Sequence, residues 1–257
     1  MQQKELAELL ASLHVKGSPL ILYNAWDAGS ARAIRDAGSP VIATSSWAVA
    51  AAQGFGDGES IPFAVVEQII ARIAGAVDIP VTVDVEGGYS DDPHVCAANV
   101  AQLMDHGVVG INLEDRIVQG TGLHGIDVQC SRIAAIRAMA DARGVPLFIN
   151  ARTDLFLGTE VEAPEGMAET KERAAAYARA GASGFFVPGL VDLSAIRELC
   201  NTVDLPLNVM AMQGLPHAHE LADAGVARIS HGPAPYLLAI KTLRNAARDA
   251  REELHAA

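Results

Sequence analysis

Asp105-His106-Gly107-Val108-Val109-Gly110-Ile111-Asn112-Leu113-Glu114-Asp115 contains the unit that decides the fold. An amphipathic stretch ends at a glycine, an unbroken apolar run follows, and acids close it. Glycine supplies the left-handed residue that stops a helix. An apolar run without alternation is the mark of a strand buried on both faces. The same unit recurs in both directions. The strands read as Leu20–Tyr23, Val41–Thr44, Val81–Val85, Gly110–Leu113, Leu147–Asn150, Gly184–Val187, Leu207–Met210 and Arg228–Ser230. Helical spacing fills the intervals at Ser30–Ala37, Phe63–Val77, His94–His106, Ser131–Arg143, Glu169–Ala180 and Leu193–Asn201, and a long last helix spans Pro235–Glu253. Stop glycines stand at Gly38, Gly107, Gly144, Gly181 and Gly225. Eight such repeats in 257 residues predict parallel βα units closed into one (β/α)₈ TIM barrel spanning 1–257, rather than a doubly wound open sheet.

The composition narrows the function classes. A formal net charge of -12 disfavours nucleic acid and anionic lipid as partners. The same charge repels an anionic substrate unless a cation in the pocket reverses the local field. Cys96, Cys130 and Cys200 show neither metal-ligand spacing nor a paired framework. They fit a reducing compartment, so a cytoplasmic location is expected. The first residues, MQQKELAELLASLH, read as an amphipathic helix rather than a signal peptide, and no run is long enough to span a membrane.

In a barrel, reactive groups sit at the C-terminal ends of strands. The polar residues fall there: Asn24, Trp26 and Asp27 after the first strand, then Thr44, Ser45, Ser46 and Trp47, and then Asp84 and Glu86. Asn112, Glu114, Asp115 and Arg116 follow the fourth strand, and Asn150, Arg152, Thr153 and Asp154 the fifth. Asn208 lies on the seventh and Ser230-His231-Gly232 close the eighth. Asp84 and Glu86 are two apart, and Glu114 is on the next strand. Converging carboxylates repel one another unless a cation sits among them. With only oxygen ligands on offer, Mg²⁺ or Mn²⁺ suits the set, Asp84 in direct contact and Glu86 and Glu114 acting through water. Alternatively these acids cap the helices that follow. Arg152 reads either as a bidentate carboxylate binder or as a structural partner of Asp154 or Glu114.

These residues lie in segments that resemble the phosphoenolpyruvate mutase / isocitrate lyase superfamily over almost the full chain. The segments are Tyr23-Asn24-Ala25-Trp26-Asp27, Thr44-Ser45-Ser46-Trp47, Gly54-Phe55-Gly56-Asp57 and Val83-Asp84-Val85-Glu86-Gly87-Gly88-Tyr89. They continue in Gly110-Ile111-Asn112-Leu113-Glu114-Asp115, Asn150-Ala151-Arg152-Thr153-Asp154, Gly184-Phe185-Phe186-Val187-Pro188 and Pro206-Leu207-Asn208-Val209-Met210. The resemblance implies Asp84 as the direct Mg²⁺ ligand, with Asp57, Glu86 and Glu114 holding its waters. It implies Ser45 and the backbone at Ser46 and Trp47 as the seat of a 2-oxo acid carboxylate. It implies Arg152 as the residue that binds substrate and steadies charge, and Asn208 as support for a second carboxylate. A homo-oligomer, dimer or tetramer, exchanging C-terminal helices is implied as well.

Two departures shape the functional expectation. The superfamily's lyases carry a cysteine loop after the fourth strand, whereas Arg116–Asp127 holds no cysteine. They also carry a glutamate, and the mutase a histidine, near the end of the sixth strand, where Pro188 and Gly189 stand here. His124, in a loop whose Gly120, Gly122 and Gly125 suggest a lid, is the candidate replacement acid, with a merely solvated imidazole as the alternative. His231 is a second candidate, aimed at the mouth. The expected reaction is Mg²⁺-dependent carbon–carbon cleavage of a small 2-oxo or 2-hydroxy (di)carboxylate through a stabilised enolate. The alternatives are phosphonate processing and non-catalytic binding of a 2-oxo acid.

Overall fold

The eight apolar runs form β1 (Leu20–Leu22), β2 (Ile42–Ala43), β3 (Val81–Asp84), β4 (Gly110–Glu114), β5 (Phe148–Arg152), β6 (Gly184–Phe186), β7 (Leu207–Met210) and β8 (Arg228–Ser230). They are seen in a computed structural model that describes residues 1–159 and 161–252. All pair in parallel in the order β1-β8-β7-β6-β5-β4-β3-β2. The remaining seam is bridged where Ala25 pairs with Thr44. There the Ala25 N–H donates to Ala43 O at 2.7 Å and the Ser45 N–H to Ala25 O at 3.2 Å. The sheet therefore closes on itself, as a barrel and not an open sheet.

The helices are α1 (Gln3–Ser12), α2 (Ala28–Asp36), α3 (Ser46–Ala52), α4 (Phe63–Ala74), α5 (Pro93–Asp105), α6 (Ile126–Ala142), α7 (Ala163–Ala180), α8 (Leu193–Thr202), α9 (Ala218–Ala224) and α10 (Ala234–Glu252). The five stop glycines all have positive φ, between 69° and 103°. Two helices begin five or more residues earlier than their spacing suggests, α6 at Ile126 and α7 at Ala163. α7 starts at Ala163 because Pro164 is compatible with a first turn, and Gly166 lies where a Cβ would meet the Phe156 ring at 2.6 Å. α3 and α9 were not apparent from periodicity, since each is only seven residues long. Glu253, the expected last residue of the final helix, lies outside the described residues. No helix among those described is long and apolar enough to cross a membrane.

α1 closes the N-terminal end of the barrel. Gln3 Nε2 donates to Met104 O at 2.7 Å and to Val108 O at 3.0 Å, and the buried Leu10 fills the space left by Gly110. Just beyond α1, His14 is buried and stacks on Phe148 with ring centroids 4.0 Å apart. Its Nδ1 pairs with Leu10 O at 2.8 Å, while Nε2 is buried without a partner. Burial, aided by the Arg228 charge, pushes its pKa down to about 3.

Between that value and an unfolded pKa near 6.5, the unfolded chain binds a proton that the folded chain refuses, so stability falls as pH drops through about 6.5. Lowering the pH from 7 to 5 should remove up to about 2 kcal/mol through His14 alone. Urea unfolding of wild type and His14→Leu at both pH values checks this. An equal loss in the two proteins would remove His14 as the cause.

Candidate active site

The C-terminal ends of the strands surround a cavity of about 210 Å³. Asp84, Glu86, Glu114 and Asp57 line one side, Arg152 and Arg116 reach in beside them, and Val118, Leu157, Phe186 and Met210 supply an apolar wall.

Asp84 is the last residue of β3. Its backbone N–H donates to Thr44 Oγ1 at 3.0 Å, which fixes the strand end against β2. Its Oδ2 accepts from Ser46 Oγ at 2.8 Å and from the Ser46 N–H at 3.3 Å. Its Oδ1 is buried with no hydrogen-bond partner. A carboxylate oxygen that is buried and unsatisfied is costly, and a cation is one group that removes the cost.

Glu86 follows in a left-handed conformation, φ 50°, and its Oε2 accepts from the Glu59 N–H at 2.7 Å. Burial first, and the Asp84 charge second, push its carboxyl up to about 7. Burial also raises the Glu114 carboxyl, against the pull of Arg152. Asp57 lines the cavity from the loop that follows α3.

This donor set fits a hard divalent cation. It is all oxygen, burial disfavours ionisation of Asp57, Glu86 and Glu114, and one carboxylate oxygen of Asp84 is orphaned. Among the described residues no three His, Cys, Asp or Glu side chains are grouped to hold an ion directly.

Arg152, last in β5, has its guanidinium fixed on one edge. Nε and Nη2 donate to Asp154 Oδ1 and Oδ2 at 2.5 and 2.8 Å. Nη1 lies 3.0 Å from Glu114 Oε2 and 3.9 Å from Asp84 Oδ2. Burial opposes its charge, but Glu114, Asp154 and Asp84 together outweigh that, so it stays protonated. Asp154 is held in turn. Its N–H donates to Asp115 Oδ1 at 3.0 Å, and Asp115 Oδ2 accepts from Tyr177 Oη at 2.8 Å and Arg173 Nη1 at 3.0 Å.

Ser45, Ser46 and Trp47 open α3 and line the cavity. Ser45 Oγ caps the helix by accepting from the Ala48 N–H at 3.4 Å. Three expected site residues are not among those lining the cavity. His124 has its Nε2 3.4 Å from Asp91 Oδ1, beside α5 rather than over the acids. His231 donates its N–H to Asn24 Oδ1 at 2.9 Å, and its ring lies against Tyr23 and Leu22 O. Asn208 is buried below the cavity, its Nδ2 donating to Ser230 Oγ at 3.2 Å. The sixth strand's departure has a physical cause. Gly189 has φ 89°, and a Cβ on it would meet Phe156 O at 2.2 Å, so a larger residue is excluded.

Residues missed by the sequence reading include Glu59, whose Oε1 accepts from the Tyr89 N–H at 2.7 Å and whose N–H holds Glu86. The glycine-rich loop after β4 does reach the cavity, through Arg116 and Val118, and is closed by a bridge between Arg116 and Leu123.

A family model described as Phosphoenolpyruvate phosphomutase matches residues 10–251. An uncharacterized protein of Mycobacterium tuberculosis (strain ATCC 25618 / H37Rv) is 35% identical over 236 residues, 92% of this chain and 86% of the relative. A protein of Corynebacterium glutamicum named probable 2-methylisocitrate lyase 2 is 35% identical over 143 residues, 53% of this chain and 44% of that one. Among solved structures, a candidate phosphonomutase of Burkholderia cenocepacia J2315 superposes with a TM-score of 0.93 at 47% identity, covering 96% of this chain and 99% of the other.

Proposed function

Because the chain belongs to the phosphoenolpyruvate phosphomutase family, we propose that it is a Mg²⁺-dependent carbon–carbon lyase or oxo-acid decarboxylase acting on a small 2-oxo or 2-hydroxy (di)carboxylate. The observation that carries this reading is the orphaned Asp84 Oδ1 beside a protonated Arg152 in a cavity sized for a small acid. Asp84 would hold the metal directly, and Glu86, Glu114 and Asp57 would hold its waters. When bound there, Mg²⁺ or Mn²⁺ would supply Lewis-acid chemistry toward the 2-oxo group and the charge that develops on it.

The protein's own groups do the rest. Arg152 Nη1 is free of Asp154 and aimed among the acids, so it donates to the oxyanion that develops. Asp154 holds the guanidinium plane in advance, which avoids reorganisation during the reaction. The start of α3 seats the substrate carboxylate through Ser45, Ser46 and Trp47. Val118, Leu157, Phe186 and Met210 exclude water from the far wall. Exposed Leu237, Leu238 and Leu243 on α10 support association of copies into a homo-oligomer, dimer or tetramer, through that helix.

A phosphonate-processing reading has its own support. Arg116 joins Arg152 at the cavity, which doubles the positive groups available to a phosphonate, and the Burkholderia cenocepacia likeness points the same way. The test is turnover of 2-oxo dicarboxylates, 2-hydroxy dicarboxylates and 3-phosphono-2-oxo acids, with and without Mg²⁺. Metal-dependent release of pyruvate or glyoxylate from a dicarboxylate is expected. Turnover confined to the phosphono acids transfers the assignment to the second reading. Binding of oxalate with metal but no turnover of any compound leaves a 2-oxo acid binder.

A further inference from the structure

Beneath the cavity lies a polar layer that the proposed chemistry does not use. Asn112 of β4, Asn150 of β5, Asn208 of β7, and Arg228 and Ser230 of β8 are all buried in the barrel. Asn112 Oδ1 accepts from Asn150 Nδ2 at 2.9 Å and from Arg228 Nη2 at 3.3 Å. Arg228 Nε donates to Ser230 Oγ at 3.0 Å, and Ser230 is shared with Asn208. Asn112 and Ser230 form part of the cavity lining, so the layer meets the cavity through two side chains that Arg228 holds.

Arg228 is 0% exposed, forms no ion pair with any described carboxylate, and leaves Nη1 buried without a partner. A guanidinium in such a place is expensive, because amide and hydroxyl dipoles replace water only in part. Burial pushes it down to about 9, with Asp84 as the charge that resists the loss. Several apolar side chains would fill this volume at lower cost. The charge has a use in the field it projects upward. Below the acids it weakens their hold on a cation, and it favours an anion that arrives once a cation has neutralised them.

We propose that Arg228 is a positioning residue that fixes Asn112 and Ser230 and keeps a permanent positive charge under the site, tilting it toward a carboxylate ligand. The inference rests on the reading that the cavity takes a divalent cation and a small carboxylate. It makes the two affinities move in opposite directions, which a merely structural arginine does not.

The test uses Arg228→Met, titrated first with Mn²⁺ alone and then with oxalate at saturating Mn²⁺, with melting temperature measured on the same samples. Mn²⁺ affinity should rise about threefold to tenfold, oxalate affinity should fall about tenfold, and Tm should hold or rise. Arg228→Lys, which keeps the charge, should return oxalate affinity most of the way to wild type. If Met fails to fold, Arg228→Gln removes the charge while retaining a donor. Loss of folding in both variants overturns the proposal, as do two affinities that fall together with Tm or do not move at all. Wild-type protein that binds neither Mn²⁺ nor oxalate rejects the underlying functional reading instead, and the inference with it.

Discussion

Replacing Asp84 by alanine is expected to abolish divalent-cation binding and all turnover while leaving the fold intact. Among the described residues Asp84 is the one acid with a buried oxygen that has no hydrogen-bond partner, so it has an unused ligand position already desolvated. Its other oxygen accepts hydrogen bonds from Ser46 and lies 3.9 Å from Arg152 Nη1, which keeps Glu114 and Asp154 as partners. Removing one charge from a cluster of acids also relieves repulsion, so Tm should hold or rise slightly. Glu86→Gln is expected to behave differently. Glu86 accepts from the Glu59 N–H and in the proposed site would act on the cation through water, so its neutral amide should weaken Mn²⁺ binding only about tenfold to a hundredfold. Calorimetric titration of Mn²⁺ in the presence of oxalate separates the two. Unchanged affinity in Asp84→Ala would show that the metal reading is wrong.

The contrast between these two acids shows what a sequence makes legible. The strands were readable because two-sided burial demands unbroken runs of Ile, Val, Leu and Phe, and the five glycines marked where helices stop. Once the fold is a barrel, topology gathers the ends of β3, β4 and β5, which is why Asp84, Glu114 and Arg152 meet as the spacing suggested. Polarity at a strand end does not, however, give the direction of a side chain. His231 follows β8 as expected, yet its ring turns toward Tyr23, while its backbone N–H goes to Asn24. His124 sits in the expected loop but faces Asp91. Glu59 and Arg228 were invisible for another reason. Glu59 matters through backbone hydrogen bonds to residues 27 and 30 positions away, and no local pattern encodes those. Arg228 opens a strand, where an arginine ordinarily reads as a solvated end, and only the closed barrel shows that it is enclosed.

Spacing alone leaves Arg152 open to two roles, a structural salt bridge and a substrate contact. The structure shows the salt bridge with Asp154, and the proposed substrate contact would use the other edge of the same guanidinium. The edge carrying Nε and Nη2 is consumed by Asp154, and Asp154 is pinned by Asp115, so the plane is fixed before any ligand arrives. The remaining Nη1 points at Glu114 and Asp84, where an anionic ligand would be held. The pair with Asp154 is buried, so an exposed-pair value of about 1 kcal/mol or less understates its worth. Truncating one member of a buried pair typically costs about 3–5 kcal/mol. Arg152→Met should therefore lower both Tm and turnover, and cannot tell the roles apart.

Arg152→Lys can. It keeps a charge near Asp154 and so most of the stability, but one ammonium cannot occupy both edges of the site at once. Losing a single preorganised donor to a developing oxyanion commonly costs about 10²–10³ in rate. The expected result is a drop in kcat of that size with Tm shifted by only a few degrees. Asp154→Asn completes the comparison, since it leaves the guanidinium present but unclamped. It should lose kcat while oxalate affinity changes little, because a mobile donor still binds but no longer meets the charge at a fixed position. Near-normal turnover in Arg152→Lys would make the arginine a structural residue and leave charge stabilisation to the cation alone.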